Sequence, residues 1–204
     1  MQNKTLATLF LILSFISVTQ ANASEKHETK AKVSLISKVL AKDLIANHIG
    51  NIKLKDMNTN GLEPDNGQHF KISTQSTTNY IMSSTRNSPR DYPPTCAVLL
   101  FNQSKNFVSI VDTVGPNNDK RPWTCESTEA ISFTDYYPDG SLKIIALYLA
   151  TAPSSERSIV PVVLKLDFNE PSLVLDEALT SIFDDKDIKT IKAARSILNK
   201  HKGK

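Results

Sequence analysis

Two stretches of the sequence place oxygen-bearing side chains at the spacing of a calcium-binding loop. In the first, Asp56, Asn58, Asn60 and Gly61 stand at loop positions 1, 3, 5 and 6, where such loops need oxygen ligands and a sharp turn. Gly67 stands at position 12, where calcium loops use a bidentate Glu. Asn and Gly also adopt left-handed conformations in ordinary turns. The stretch therefore predicts either a weak calcium site or a turn without metal.

The second stretch lies between two apolar runs. From Ala130 to Ala150, the order of strand, acidic turn and strand resembles the FG-GAP or VCBS-type repeat, and Asp135, Asp139 and Gly140 match its loop positions 1, 5 and 6. The resemblance covers about twenty residues. It implies a calcium-binding loop in a protein of adhesive or surface character.

The same turn also has an explanation without metal. Tyr137 and Lys143 stand where the repeat usually has Asn and Asp, and the ammonium group of Lys143 opposes a divalent cation. Pro138 and Gly140 occupy the second and fourth positions preferred in a type I turn. A hairpin turn is thus the alternative to a metal site.

Four further side chains are of types that carry much of the binding energy at protein interfaces. They are Arg121, Trp123, Tyr136 and Tyr137. The only Trp stands two residues before a Cys, so packing against a disulfide is the alternative for Trp123.

Signatures of catalysis are missing from the sequence. The four histidines lie in separate regions, and there is no His-Glu-x-x-His pattern, nucleophile elbow, Walker loop or dinucleotide fingerprint. Scattered carboxylates can still converge in space, which leaves a hydrolase as an alternative. The sequence favours a protein without enzymatic activity and implies no cofactor other than calcium.

The beginning of the chain has the features of a signal peptide. Lys4 precedes an apolar stretch at residues 6–18, and Ala21-Asn22-Ala23 is a small-x-small cleavage pattern. We expect a signal peptide over residues 1–23, a flexible N-terminus over residues 24–30 and a single globular domain over residues 31–204. The expected location is the periplasm or the outside of the cell.

The two cysteines, Cys96 and Cys125, follow the signal peptide and are the only ones in the chain. Export places them in an oxidising compartment, where paired thiols persist. They lack the Cys-x-x-Cys spacing of redox-active pairs. The sequence therefore predicts a structural disulfide between them.

The hydrophobic pattern predicts an α+β fold with an amphipathic helix near each end. Three- and four-residue spacings predict an N-terminal helix through Val33, Ile36, Val39, Leu40, Leu44 and Ile45, and a C-terminal helix through Ile188, Ile191, Ala194 and Leu198. Between them, short apolar and alternating runs predict five or six strands in a mostly antiparallel sheet. The polar, Pro-containing stretch from Asn79 to Thr95 predicts a long loop.

These patterns favour a binding role for the protein. With 40% hydrophobic and 22% charged residues, the composition is that of an ordinary folded chain. We expect an exported protein that recognises a periplasmic or extracellular protein, as an inhibitor or immunity-type factor. The alternatives are the calcium-dependent surface module and the hydrolase.

The charge and hydrophobic patterns also bear on nucleic acid and membrane as partners. The export signal argues against nucleic acid as a partner. No apolar run is long enough to span a membrane. The six bases from Ile188 to the end of the chain leave an anionic membrane surface as an alternative partner for the last helix.

Overall fold

The computed structural model describes residues 31–49, 62–86 and 93–201. The predicted signal peptide and the N-terminal stretch of residues 24–30 lie outside the described residues.

The first part of the described chain forms a five-stranded antiparallel sheet, in which each strand pairs with the next one along the chain. Its strands are β1 (Lys32–Leu35), β2 (Leu62–Ser73), β3 (Thr78–Arg86), β4 (Thr95–Phe101) and β5 (Phe107–Val114). Every residue of β4 is buried, because this strand lies between β3 and β5 and is covered on both faces.

A second antiparallel sheet of four strands follows, again with sequential pairing. Its strands are β6 (Thr124–Tyr136), β7 (Leu142–Thr151), β8 (Arg157–Asp167) and β9 (Ser172–Leu175). The α+β class is confirmed, but the prediction of one sheet with five or six strands is wrong. The strands lie in two sheets because the β5–β6 connection passes from one layer to the other.

The two sheets pack face to face and enclose the main core. Alternate residues of each strand point into this layer, as the two-residue period of a strand requires. From the first sheet come residues such as Phe70, Ile81 and Val98, and from the second Ile144 and Val162.

The outer face of each sheet is also apolar and is covered by helices. Helix α1 (Lys38–Ile49) packs Leu44 and Ile45 against the first sheet. On the second sheet lie α2 (Glu177–Thr180), a 3-10 turn (Ser181–Phe183) and α3 (Ile191–His201). The fold therefore has four layers, with helices outside both sheets.

The N-terminal helix begins later than its hydrophobic spacing predicts. Val33 belongs to β1, and Val39 in α1 is 70% exposed, so neither lies on a buried helical stripe. Ser37 starts the helix, because its Oγ accepts a hydrogen bond from the Leu40 amide at 3.2 Å. The residues before this cap are therefore available to pair as a strand.

The C-terminal helix has part of the predicted stripe: it begins at Ile191, which is only partly buried, and the predicted Ile188 lies before it. Ala194 and Leu198 are buried against the second sheet, together with Ile188 just before the helix. Thr190 caps α3, since its Oγ1 accepts from the Ala193 amide at 3.2 Å.

The predicted loop from Asn79 to Thr95 is wrong over most of its first half, which is strand β3. The hydrophobic pattern does not indicate this strand, because it contains a run of Ser and Thr residues. Two of these polar groups are bonded to β2: Ser84 Oγ donates to the Glu63 carbonyl at 2.8 Å, and Thr85 Oγ1 donates to Asp65 at 2.5 Å. Ser83 Oγ, in contrast, is buried without a hydrogen-bond partner among the described residues. Buried polar residues are tolerated when they have such partners.

The predicted disulfide between Cys96 and Cys125 is confirmed. It joins β4 of the first sheet to β6 of the second, with a Cα–Cα distance of 5.2 Å. The Cys125 amide also donates to the Pro94 carbonyl at 2.9 Å. The bridge thus fixes the two sheets together where the chain crosses between them.

Replacing both cysteines with alanine is expected to lower the free energy of unfolding. The bridge closes a loop with a sequence separation of 29, and a loop of that length corresponds to roughly 3 to 4 kcal/mol in the chain-entropy model. Urea denaturation of the oxidised protein and of the double variant measures the difference. An unchanged denaturation midpoint would show that the bridge is dispensable for the sandwich.

Candidate functional site

Strand β1 forms one outer edge of the five-stranded sheet. It pairs with β2 on one side, with Val33 opposite Ile72 and Leu35 opposite Phe70. No strand among residues 31–49, 62–86 and 93–201 pairs with its other side. All four residues of β1 are exposed.

The direction of the β1 backbone groups follows from one hydrogen bond. The Ile36 amide donates to the His69 carbonyl at 3.0 Å, so this pair is a hydrogen-bonded one. Bonded and non-bonded pairs alternate along an antiparallel ladder, so Ser34 bonds to β2 while Val33 and Leu35 do not. The N–H and C=O groups of Val33 and Leu35 therefore point away from the sheet.

Apolar side chains accompany these outward backbone groups. Val33 and Leu35 lie on the same face of the sheet as their partners Ile72 and Phe70, which belong to the main core. The exposure of this face increases along β1: Ala31, just before the strand, packs against the main core, whereas Val33 is 37% and Leu35 69% exposed. We call the outward backbone groups and side chains of Val33 and Leu35 the β1 edge.

Basic side chains lie on the opposite face of the same strands. Lys32 and Ser34 alternate with the apolar residues of β1, and Lys71 pairs with Ser34 across the ladder. Both lysines are exposed, and neither forms an ion pair with a carboxylate of the described residues. The β1 edge is thus apolar on one face and positively charged on the other.

His69 lies next to this region but adds no charge to it. Its side chain is fully buried, and burial lowers the pKa of the imidazole below its ordinary value of 6.5, against the opposing effects of the Asp65 carbonyl and carboxylate. The ring is therefore neutral at pH 7, and the charge beside the β1 edge comes from lysines.

A polar network holds β2, the only described strand that pairs with β1, to the second sheet. The carboxylate of Asp65 accepts hydrogen bonds from Thr85 and Thr128, each at 2.5 Å, and Gln68 Oε1 accepts from the Ile131 amide at 2.9 Å. Sequence reasoning missed these contacts, because no local pattern indicates a bond between residues so far apart in the chain.

The four residues predicted for partner binding all make contacts within the chain. Arg121 is buried and donates to both carboxylate oxygens of Glu177, at 3.1 and 2.8 Å. Tyr137 donates to Asp176 at 2.7 Å. The structure thus brings Arg121 and Tyr137 together at the start of α2, where Asp176 caps the helix by accepting from the Leu179 amide.

The other two lie elsewhere. Trp123 is partly buried and packs against the main core. Tyr136 packs there as well, and its hydroxyl oxygen accepts from the Ala31 amide at 2.5 Å. Tyr136 is therefore the one predicted binding residue that lies beside the start of β1.

The Tyr137 ring lies between two lysines of the second sheet. Lys143 Nζ is 4.7 Å and Lys165 Nζ 5.3 Å from the ring centre, which are cation–π distances. Burial raises the pKa of the Tyr137 hydroxyl far above its ordinary value, and the bond to Asp176 acts in the same direction. The hydroxyl is thus a hydrogen-bond donor throughout the physiological pH range.

The carboxylate of Asp139 is engaged within the predicted hairpin turn. Its Oδ2 accepts from Lys165 Nζ at 2.5 Å, and Oδ1 accepts from the amide and hydroxyl of Ser141 at 3.0 and 2.6 Å. The bond from Lys165 is the main cause that holds the pKa of Asp139 well below its ordinary value. Gly140 completes the turn with a φ of 85°, a left-handed conformation that favours glycine.

The side chains of the other four predicted metal ligands lie outside what the structure describes. Asp56, Asn58 and Asn60 lie outside the described residues, and Asp135 is described only as part of the β6 backbone. In the part of the chain that the structure describes, no group of three or more His, Cys, Asp or Glu side chains is placed to hold a metal ion.

The packing of the C-terminal helix can be compared with the alternative of an anionic membrane surface as its partner. The apolar side chains of Ala194 and Leu198 are buried against the second sheet, so they are not available to enter a lipid surface. Over the described residues, no helix has the length and apolar character needed to cross a membrane.

Comparison with known proteins gives no relative: no protein-family model, curated protein or solved structure matches the chain.

Replacing Arg121 with methionine is expected to lower the free energy of unfolding by about 1.5 to 3 kcal/mol, the usual range for hydrogen bonds to a charged group. Arg121 holds the pKa of Glu177 below its ordinary value of 4.5. The pair therefore adds to the free energy of unfolding above pH 4.5, and this stabilisation is lost as the pH falls through the lowered pKa of Glu177. Denaturation of the wild type and of Arg121→Met at neutral and acidic pH should therefore show a difference in unfolding free energy that is smaller in acid.

Lys120 is the matched control, because its more exposed ammonium group contacts the same Glu177 at 3.3 Å. Lys120→Met should change the unfolding free energy by at most about 1 kcal/mol. An Arg121→Met variant with the same unfolding free energy as the wild type would contradict a structural role for Arg121.

Proposed function

We propose that the protein is an exported, non-enzymatic binding protein that recognises another protein, as an inhibitor or immunity-type factor, and that the partner binds at the β1 edge. The observation that carries the proposal is the outward direction of the N–H and C=O groups of Val33 and Leu35 beside their exposed side chains. The expected location is the periplasm or the outside of the cell, and the Cys96–Cys125 disulfide supports it.

An edge strand of this kind is a template for pairing with another chain. Its unpaired N–H and C=O groups bind an extended segment, which adds one more strand to the sheet. In this mode the backbone hydrogen bonds supply affinity, while the alternate side chains supply specificity. Val33 and Leu35 continue the apolar face of the core, so an added strand would extend that core beyond Phe70 and Ile72.

The side chains predicted from the sequence for partner binding support the choice of the β1 edge, because they are used within the fold. Arg121 and Tyr137 bind Glu177 and Asp176 at the start of α2, and Trp123 packs on the core. These side chains contribute to the fold. The backbone groups of the β1 edge have no such partner among the described residues, which is why we place recognition there.

Proline at position 33 should abolish partner binding without unfolding the sheet. The Val33 amide points away from β2, so Val33→Pro removes an outward donor and leaves the bonds to β2 intact. Val33→Thr is the control, because it keeps the N–H group and the β-branched shape.

The measurement is affinity capture from the extracytoplasmic fraction of the source cells, read by mass spectrometry, with the wild type and both variants as oxidised baits. Thermal melting first establishes that all three are folded. A stoichiometric partner should be recovered with the wild type and Val33→Thr and lost with Val33→Pro. Recovery of the same partner by Val33→Pro would place recognition on another surface, and no partner for the wild type would contradict the proposal.

A further inference from the structure

We infer that the segment bound at the β1 edge is an extended strand of a partner protein in which apolar and acidic residues alternate. This inference rests on the proposed function and specifies the chemistry of the partner. Its basis is that the two faces of β1 differ in character: Val33 and Leu35 are apolar, whereas Lys32 and its neighbour Lys71 are cationic.

The alternation follows from strand geometry. A strand added to β1 must turn successive side chains to opposite faces of the extended sheet. On one face its side chains lie beside Val33 and Leu35, in continuation of the main core. Apolar side chains are favoured there, because they remove the exposed surface of these two residues from water.

On the other face the added side chains lie beside Lys32 and Ser34. Lys71 is diagonal to Lys32, and both ammonium groups are exposed and without a described carboxylate partner. Lys42 on α1 adds another exposed positive charge. Acidic side chains are favoured at these positions, since cross-strand pairs of opposite charge stabilise a sheet and like charges destabilise it.

The acidic residues of the neighbouring elements leave this charge in place. Glu63 pairs with Thr85 at the far end of β2, and the Asp65 carboxylate accepts bonds from Thr85 and Thr128. Asp43 is one exposed carboxylate on α1, which also carries the exposed Lys38 and Lys42. Over β1, β2 and α1, four lysines therefore stand against three carboxylates, a net charge of +1.

A second copy of the chain fits this edge less well. Two β1 strands related by a twofold axis at Ser34 would place Val33 opposite Leu35 and satisfy the outward backbone groups. The same arrangement would place Lys32 and Lys71 of both copies on one face of a continuous sheet. In that pairing Lys32 lies opposite Ile36 of the second copy and gains no carboxylate, whereas an acidic segment places one beside it. The acidic segment is therefore favoured over self-association.

The test uses short blocked peptides and the full oxidised chain from Ser24. In the first peptide valine alternates with glutamate, and in the second valine alternates with lysine. The protein variants are Val33→Pro and the double variant Lys32→Glu with Lys71→Glu. Calorimetric titration at low salt measures each affinity, and sedimentation measures the oligomeric state of each protein.

The wild type should bind the glutamate peptide about tenfold more tightly than the lysine peptide, because the peptide's attraction to Lys32 beside it, and to Lys71 one strand further in, is replaced by repulsion. The double variant should reverse this preference, and added salt should reduce it. Val33→Pro should bind neither peptide, which shows that binding uses the outward amide.

Equal affinity of the wild type for both peptides would overturn the inference on charge while leaving the proposed function in place. Failure of the wild type to bind either peptide would contradict both. Peptide binding by Val33→Pro would place the site elsewhere. A wild-type dimer that Val33→Pro abolishes would overturn the inference, because the occupant would then be a second copy of the chain.

Discussion

The structure depends on one constraint: both sheets carry apolar side chains on both of their faces. Strand β4 is buried along its whole length, and in β7 Ile144 faces the inner core while Ile145 faces the helices. Such sheets cannot leave either face in water, so the sheets pack on each other and helices cover the outside. The disulfide joins the two sheets at β4 and β6, and the Arg121–Glu177 pair joins the β5–β6 connection to the start of α2.

Strand β1 is the place where this covering ends. Among the described residues it is joined to the sheet through β2 alone, and its inner-face residues Val33 and Leu35 are 37% and 69% exposed. Because the rest of the fold is tied by the core and by the Asp65 network, the edge is held in an extended conformation before any partner arrives. A binding strand that is already ordered loses little conformational entropy on association. The same rigidity that stabilises the fold therefore favours recognition at this edge.

Sequence patterns predicted the parts of this structure that are locally encoded. The continuous apolar run of β4, the stripe of Ala194 and Leu198 and the disulfide follow from composition, period and the expected compartment. Strand β3 was missed because its Ser and Thr residues do not follow an apolar pattern, although Ser83 and Ser84 are buried and Ser84 and Thr85 bond to β2. The β1 edge was missed because Val33 also fits a helical period, and only the Ser37 cap and the pairing with β2 separate strand from helix. The site depends on long-range pairing, which a local pattern does not encode.

Amide hydrogen exchange within β1 tests the central claim most directly. In the protein alone, the amides of Lys32 and Ser34 bond to β2, whereas those of Val33 and Leu35 point outward. Exchange should therefore be fast at Val33 and Leu35 and slower at Ser34. Addition of the valine–glutamate peptide should slow exchange at Val33 and Leu35 and change it little at Ser34. Unchanged exchange at these two residues, with new protection on another strand, would contradict recognition at the β1 edge.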